Sequence, residues 1–193
     1  MLSDISENYR IILASRSPRR QQLLRELGLE FKVCEKEYDE SYPEGLMGEE
    51  IALYLARSKA DHFRDDLHPG DMFITADTIV CCNGKLLEKP SDRQDALRML
   101  RLISGNTHEV ITGVNILTLS KETTFTDTTK VTFENLSDEE IIYYIDRFRP
   151  FDKAGGYGIQ EWIGIAGCSR LEGSYFNVVG LPAQRLYKEL KNF

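Results

Sequence analysis

The residues of this sequence able to do chemistry are carboxylates set in unusual places and a scatter of basic side chains. Asp77 stands in Ile74-Thr-Ala-Asp-Thr-Ile-Val80, an apolar run that reads as a mostly buried strand. A carboxylate there is costly unless a Lys, an Arg or a metal ion meets it. Asn83-Gly84 between two apolar runs signals a two-residue hairpin, with a return strand through Leu86-Leu87 and Pro90 ending the ladder. That hairpin carries Lys89 back towards Asp77. From this stretch alone, a structural Asp–Lys pair is the simpler account.

Other candidates come from distant parts of the chain. Ile11-Ile-Leu-Ala14 reads as a buried first strand, and Ser15-Arg-Ser-Pro-Arg-Arg20 leads from it into a helix. Ser17 suits the N-cap, Pro18 the first helical position, and Gly28 the stop. A strand–turn–helix of this kind offers backbone N–H groups and the positive dipole end to an anion. Arg19 and Arg20 have the wrong sign for that dipole. Either one of them meets an anion, or both are solvated surface residues paired with acidic neighbours. Lys59 falls on the face of Ile51 and Leu55 in a helix over 49–63; it either snorkels to the edge or points into an anion pocket. Glu40 lies in the loop Asp39-Glu-Ser-Tyr-Pro43, where a carboxylate is ordinarily just solvated. Asp152-Lys-Ala-Gly-Gly-Tyr-Gly-Ile-Gln160 places glycines where backbone can approach a ligand closely or simply turn tightly. Lys153 and Gln160 bracket them, one a cation and one an amide that can donate and accept.

The elements that must hold these residues belong to an α/β chain. At 193 residues, with 41% hydrophobic and 28% charged residues, the sequence has the length and composition of one globular domain. A net charge of −7 argues against DNA, RNA or an anionic membrane as partner. The four cysteines, Cys34, Cys81, Cys82 and Cys168, show no CxxC or zinc-ligand spacing and read as buried or half-buried thiols of a reducing compartment. Residues 1–9 lack the basic and apolar regions of a secretory signal, no run is long enough to span a membrane, and the expected location is cytosolic. Phe31-Lys-Val-Cys34 reads as a second short strand. Ser91-Asp-Arg-Gln94 fits a capping box before a helix ended by Gly105. His108–Leu119 and Thr123–Phe133 read as two antiparallel β segments. Leu136-Ser137 with Glu140 and Ile141 caps a helix that stops at Pro150, and Pro182 opens the last one. His62, His68 and His108 read as structural.

Collected, Ser15, Arg19, Arg20, Glu40, Lys59, Asp77, Lys89, Lys153 and Gln160 put several cations and two carboxylates on loops of an α/β sheet. Phosphate transfer needs that set: cations neutralise phosphate oxygens, while carboxylates hold a metal or orient water. No P-loop, Rossmann fingerprint, GxSxG or HExxH pattern is present. The residues by themselves stop at a phosphate-binding α/β protein.

The order of motifs goes further. Leu13-Ala-Ser-Arg-Ser-Pro-Arg-Arg20, Ala56-Arg-Ser-Lys-Ala60, Ala76-Asp-Thr-Ile-Val80 and Glu88-Lys-Pro90 are followed by Ser104-Gly105 with His108, Thr112-Gly113, Lys153–Gln160 and Asn177-Val-Val-Gly-Leu-Pro182. From Ile11 nearly to the C-terminus this resembles the Maf family of nucleoside triphosphate pyrophosphatases. The resemblance implies a single domain over 1–193 with an elongated mixed sheet flanked by helices, as in the inosine triphosphate pyrophosphatases. It also implies two lobes with a cleft between them, and often a homodimer. The implied reaction is hydrolysis of a surplus or modified nucleoside triphosphate to monophosphate and pyrophosphate with a divalent cation (Mg, Mn or Co).

Carried over by position, Asp77 matches the general base, and Ser15, Arg19, Lys59 and Lys89 match substrate-binding residues. Arg19, Thr78 and Gln160 match positions that bear on specificity, and Glu40 with Asp77 matches the metal-holding carboxylates. The pattern through Gln160, with Thr78, resembles the branch preferring dTTP and UTP; another branch prefers 7-methyl-GTP. One departure stands out: Glu161-Trp162 follows Gln160 where the family usually has Gly, which bears on the loop shape and the base pocket. Two rival readings are a nucleotide-binding regulator of septum formation and a sugar-nucleotide transferase. The transferase needs an acceptor pocket for which the sequence carries no motif.

Overall fold

A computed structural model describes residues 3–36 and 41–193. In chain order the elements are α1 (Ser3–Asn8), β1 (Arg10–Leu13), α2 (Pro18–Glu26), β2 (Lys32–Val33), α3 (Glu49–Asp61), β3 (Asp71–Cys82), β4 (Lys85–Leu87) and α4 (Arg93–Ile103). They continue through β5 (Thr107–Leu117), β6 (Glu122–Phe133), α5 (Asp138–Phe148), α6 (Trp162–Gly167), β7 (Cys168–Glu172), α7 (Tyr175–Val179) and α8 (Ala183–Leu190). The strands form one mixed seven-stranded sheet in the order β2-β1-β3-β5-β6-β7, with β4 added to β3. β1 pairs in parallel with both β2 and β3, whereas the β3–β4 and β6–β7 pairs are antiparallel. β5 and β6 are neighbours joined by residues 118–121, a connection short enough only for an antiparallel pair. The expected mixed α/β class is the observed one.

Chain contacts divide the molecule into two compact units, and β3, β5 and β6 contribute residues to both. The first comprises residues 1–77, 112–127 and 180–193. Its α2 begins as the sequence dictates: Ser17 caps the helix by accepting from the Arg20 N–H, Pro18 occupies the first turn, and Gly28 follows the helix at φ +79°. Part of its core joins Ile12 of β1 and Ala14 just after it to Ala60, Phe63, Phe73 and Leu117, with the Phe63 and Phe73 rings stacked 5.2 Å apart.

The second unit comprises residues 78–111 and 128–179. The hairpin forms as expected: Val80 pairs with Leu87, and Asn83 and Gly84 both take positive φ, 50° and 73°, as a type I′ turn requires. α4 and α5 bury Leu97, Leu100 and Ile103 and Ile141, Tyr144 and Ile145 against sheet residues Val80, Val110, Val131 and Phe133. Each such aliphatic or aromatic side chain is worth roughly 1.5–3 kcal/mol. The exposed ion pairs Arg93–Asp146 and Arg101–Asp138 between these helices add little beside that core. Ser137 and Glu140 form the expected capping box of α5. The cap of α4 is a correction: Asp92, not Ser91, accepts from the Asp95 N–H, and the Ser91 N–H instead donates to the Asp95 carboxylate. Asp and Ser cap about equally well, so the adjacent pair left the boundary one residue uncertain.

Candidate functional site

In the first unit, four of the candidates gather where β1 ends and β3 continues. Leu13 pairs with Ile74, and the Ala14 N–H donates to the Ile74 carbonyl (2.9 Å), so Ser15 leaves the sheet beside Ala76 and Asp77. Asp77 and Thr78 are half-buried, whereas the six residues of β3 that precede them are all buried. The strand surfaces there, at the carboxylate.

α3 is fastened to this part of the sheet at backbone range. A Cβ on Gly113 of β5 would run into the Ala52 carbonyl, so only glycine lets the helix lie this close. One turn on, Thr75 Oγ1 donates to the Ala56 carbonyl at 2.6 Å. Ala52, Ala56 and Lys59 follow the helical four- and three-residue steps, which brings Lys59 onto the same face, 9% exposed. Thr75 and Asp77 share one face of β3, since side chains alternate along a strand. Lys59 and Asp77 therefore lie on the same side of the sheet.

Arg20 organises the turn between β1 and α2. It is 9% exposed; Nε donates to the Gly180 carbonyl (2.8 Å), and Nη1 to the Ala76 carbonyl (2.8 Å) and Ser15 Oγ (3.3 Å). The two arginines thus separate: Arg20 is tied to the scaffold, whereas Arg19 is half-buried in the first turn of α2. Arg16 is exposed and engaged with Glu35. Periodicity cannot reveal a bond from Arg20 to a residue 160 positions away.

In the second unit, Val80 pairs with Leu87 at the end of β4, and the exposed Lys89 follows two residues beyond that strand. The glycine-rich stretch lies on this hairpin. The Gly155 N–H donates to the Glu88 carbonyl (3.1 Å), and added Cβ atoms at Gly155 and Gly156 would press on Val80 and Pro90 at 3.1 Å. Gln160 is exposed at its end. Lys153 departs from its grouping with the phosphate cations. Its ammonium is 2.8 Å from Asp152 and 3.1 Å from Glu161, so its charge is answered by two carboxylates. The Tyr144 hydroxyl, which no sequence signal singled out, also bonds Glu161.

Glu40 lies outside the described residues. Among the described residues no three His, Cys, Asp or Glu side chains come together as a metal cluster. A hard cation such as Mg²⁺ needs only one or two carboxylates beside substrate phosphates and water, and the half-buried Asp77 supplies oxygen donors of that chemistry. All four cysteines are free and buried or half-buried, as expected, and burial pushes the thiol pKa values of Cys81, Cys82 and Cys168 up. No helix among the described residues is long and apolar enough to cross a membrane.

The fold is that of a mixed α/β protein in which Ser15, Arg20 and Asp77 come together where β1 ends beside β3. Residues 10–193 match the family described as Maf-like protein, and the chain belongs to that family. It is 53% identical over 186 residues to the dTTP/UTP pyrophosphatase of Phocaeicola vulgatus, covering 96% of each chain. It is 50% identical over 192 residues to that of Bacteroides fragilis (99% of each) and 48% over 194 residues to that of Parabacteroides distasonis (100% of each). A solved nucleoside-triphosphatase / dITP/XTP pyrophosphatase from Mycobacterium abscessus is 17% identical, covers 64% of this chain and 74% of its own, and superposes with a TM-score of 0.40, too low to argue from.

Proposed function

We propose that this chain hydrolyses dTTP and UTP to the nucleoside monophosphate and pyrophosphate. The observation that carries the reading is the set of dTTP/UTP pyrophosphatases about half identical to it over almost the whole of both chains.

In this reading the bond broken is the α–β phosphoanhydride. Water adds to phosphorus, its proton passes to the Asp77 carboxylate, and pyrophosphate leaves. A positioned general base of this kind contributes about 10²–10⁴-fold. Arg19, Lys59 and Lys89 bind the triphosphate oxygens, with Ser15 donating its hydroxyl to them; such charge-assisted contacts are the stronger class of hydrogen bond. The burial of Lys59 on the Asp77 side of β3 supports this assignment. A divalent cation, when bound, supplies charge neutralisation at the phosphates, with Asp77 and Glu40 as its protein ligands. The compartment we infer is the cytoplasm, where four free thiols stay reduced.

Thr78 and Gln160 read the base. An amide and a hydroxyl each donate and accept, which suits the alternating carbonyl and N–H edge of uracil or thymine. A 7-methylguanine is cationic and calls for an uncommitted carboxylate. Glu161 is committed, with one oxygen to Lys153 and the other to Tyr144.

The test is pyrophosphate release from dTTP, UTP, CTP and 7-methyl-GTP with Mg²⁺ or Mn²⁺ and no acceptor. At least tenfold higher kcat/KM for dTTP or UTP over 7-methyl-GTP is expected. A tenfold preference the other way, about 1.4 kcal/mol, overturns the base assignment, and no release from any of them overturns the activity.

A further inference from the structure

Residues 153–161 are closed into a loop by contacts that the chemistry of the phosphates does not call for. Lys153 Nζ meets Glu161 Oε1 at 3.1 Å, joining the two ends. Tyr144, on α5 and 0% exposed, donates its hydroxyl proton to Glu161 Oε2 and accepts from the Gly158 N–H at 3.0 Å. A Cβ on Gly158 would sit 2.9 Å from the Glu161 Cδ, so the carboxylate is packed flat on the loop it closes. Ile159 is 6% exposed and belongs to the core. Gln160 is exposed between this buried residue and the pinned Glu161, with its backbone fixed on both sides.

We propose that Lys153, Glu161 and Tyr144 form a clamp that sets base selectivity by holding the Gln160 peptide in one position. The inference rests on the reading that Gln160 contacts the base. Glu161 and Tyr144 are positioning residues: they touch neither base nor phosphate and act through Gln160. An amide distinguishes a uracil from a cytosine edge only if its oxygen and nitrogen are held in place, because a loose side chain offers either to either base. Selectivity that depends on placement is lost when the supporting contacts go, while the cleavage chemistry is left nearly intact.

The experiment compares kcat/KM for UTP and CTP in the full chain and in Tyr144→Phe, Glu161→Gln and Tyr143→Phe. Tyr144→Phe removes one oxygen and keeps the ring that stacks on Phe148 at 5.1 Å, so the core survives. The unsubstituted protein is expected to prefer UTP at least tenfold. In Tyr144→Phe and Glu161→Gln that ratio is expected to fall at least fivefold, while kcat for UTP falls less than threefold. Tyr143, half exposed on the same helix, serves as control, and its variant keeps the ratio.

A ratio unchanged within twofold in both variants overturns the clamp and leaves the pyrophosphatase reading intact. A parallel loss of kcat on both bases also overturns it, since that marks a general structural role. An unsubstituted protein that releases no pyrophosphate overturns the activity and the clamp together. One that hydrolyses UTP and CTP equally overturns the clamp alone.

Discussion

His108 Nε2 and the Tyr157 hydroxyl lie 2.6 Å apart inside the second unit, and the two rings meet edge to face with Phe133 completing the cluster. His108 is 1% exposed, and burial pushes its pKa down from 6.5 to about 4. Over that interval the unfolded chain takes up a proton that the folded chain refuses. The contribution of His108 is thus fully present above pH 6.5 and is lost as pH falls towards 4. Linkage sets its size at up to about 1.4 kcal/mol per pH unit, roughly 3 kcal/mol in all. Denaturant unfolding of the unsubstituted protein and His108→Gln between pH 7 and 4 should give stabilities that converge by about 2–3 kcal/mol on acidification. Parallel curves would refute the assignment.

Asp77→Asn is expected to keep the fold and lose turnover. The amide is isosteric but cannot take a proton from water, and it is a poor ligand for a hard cation, so kcat should fall at least 10²-fold. Retention of more than about a tenth of the rate in a folded variant removes Asp77 from the role.

Arg19→Ala and Lys59→Ala should each cost about 1.5–3 kcal/mol in kcat/KM, because in the proposed reading each removes one charge-assisted phosphate contact. Arg16→Ala, whose parent side chain is exposed and engaged with Glu35, should cost far less. Equal losses at all three positions would point to a diffuse field instead of a defined site.

Arg20→Ala should behave differently from Arg19→Ala. It leaves the Ala76 and Gly180 carbonyls without the guanidinium that now bonds them, and an unsatisfied buried group costs about 1–3 kcal/mol. Thermal unfolding should show the loss without substrate, whereas Arg19→Ala should unfold near the normal temperature. Matching midpoints for the two variants would contradict this division.

Gly113→Ala tests the seat of α3. The new methyl meets backbone, the Ala52 carbonyl, so relief requires moving the helix that carries Lys59. Overpacking of this kind typically costs 1–3 kcal/mol. A lowered melting temperature together with a raised KM is the expected pair of effects; a variant as stable as its parent shows that α3 yields without cost.

Local chemistry made much of this legible in the sequence. Ser17-Pro18, Asn83-Gly84 and Ser137 with Glu140 each specify a cap or turn within four residues, and each formed. Asp77 stood out because a carboxylate interrupts an apolar strand. β7 went unread because Cys168-Ser-Arg-Leu-Glu172 is short, mostly exposed and without a clean apolar alternation; its pairing with β6, irregular between Thr132 and Phe133, defines it. The roles of Arg20 and Tyr144 were hidden for another reason. A guanidinium that binds distant carbonyls and a phenol that binds a carboxylate on a later loop leave no local period to detect.

The bond from Arg20 to Gly180 has a consequence for the order in which the chain becomes whole. The first unit is closed by residues 180–193, after the entire second unit has been made. On a ribosome adding roughly 5–20 residues per second, the 160 positions between donor and acceptor correspond to about 10–30 s. For that interval the nascent turn before α2 lacks one of its acceptors, whereas residues 78–179 span both segments of the second unit and can consolidate first. Gly180 is then the latch that completes a turn made 160 positions before it.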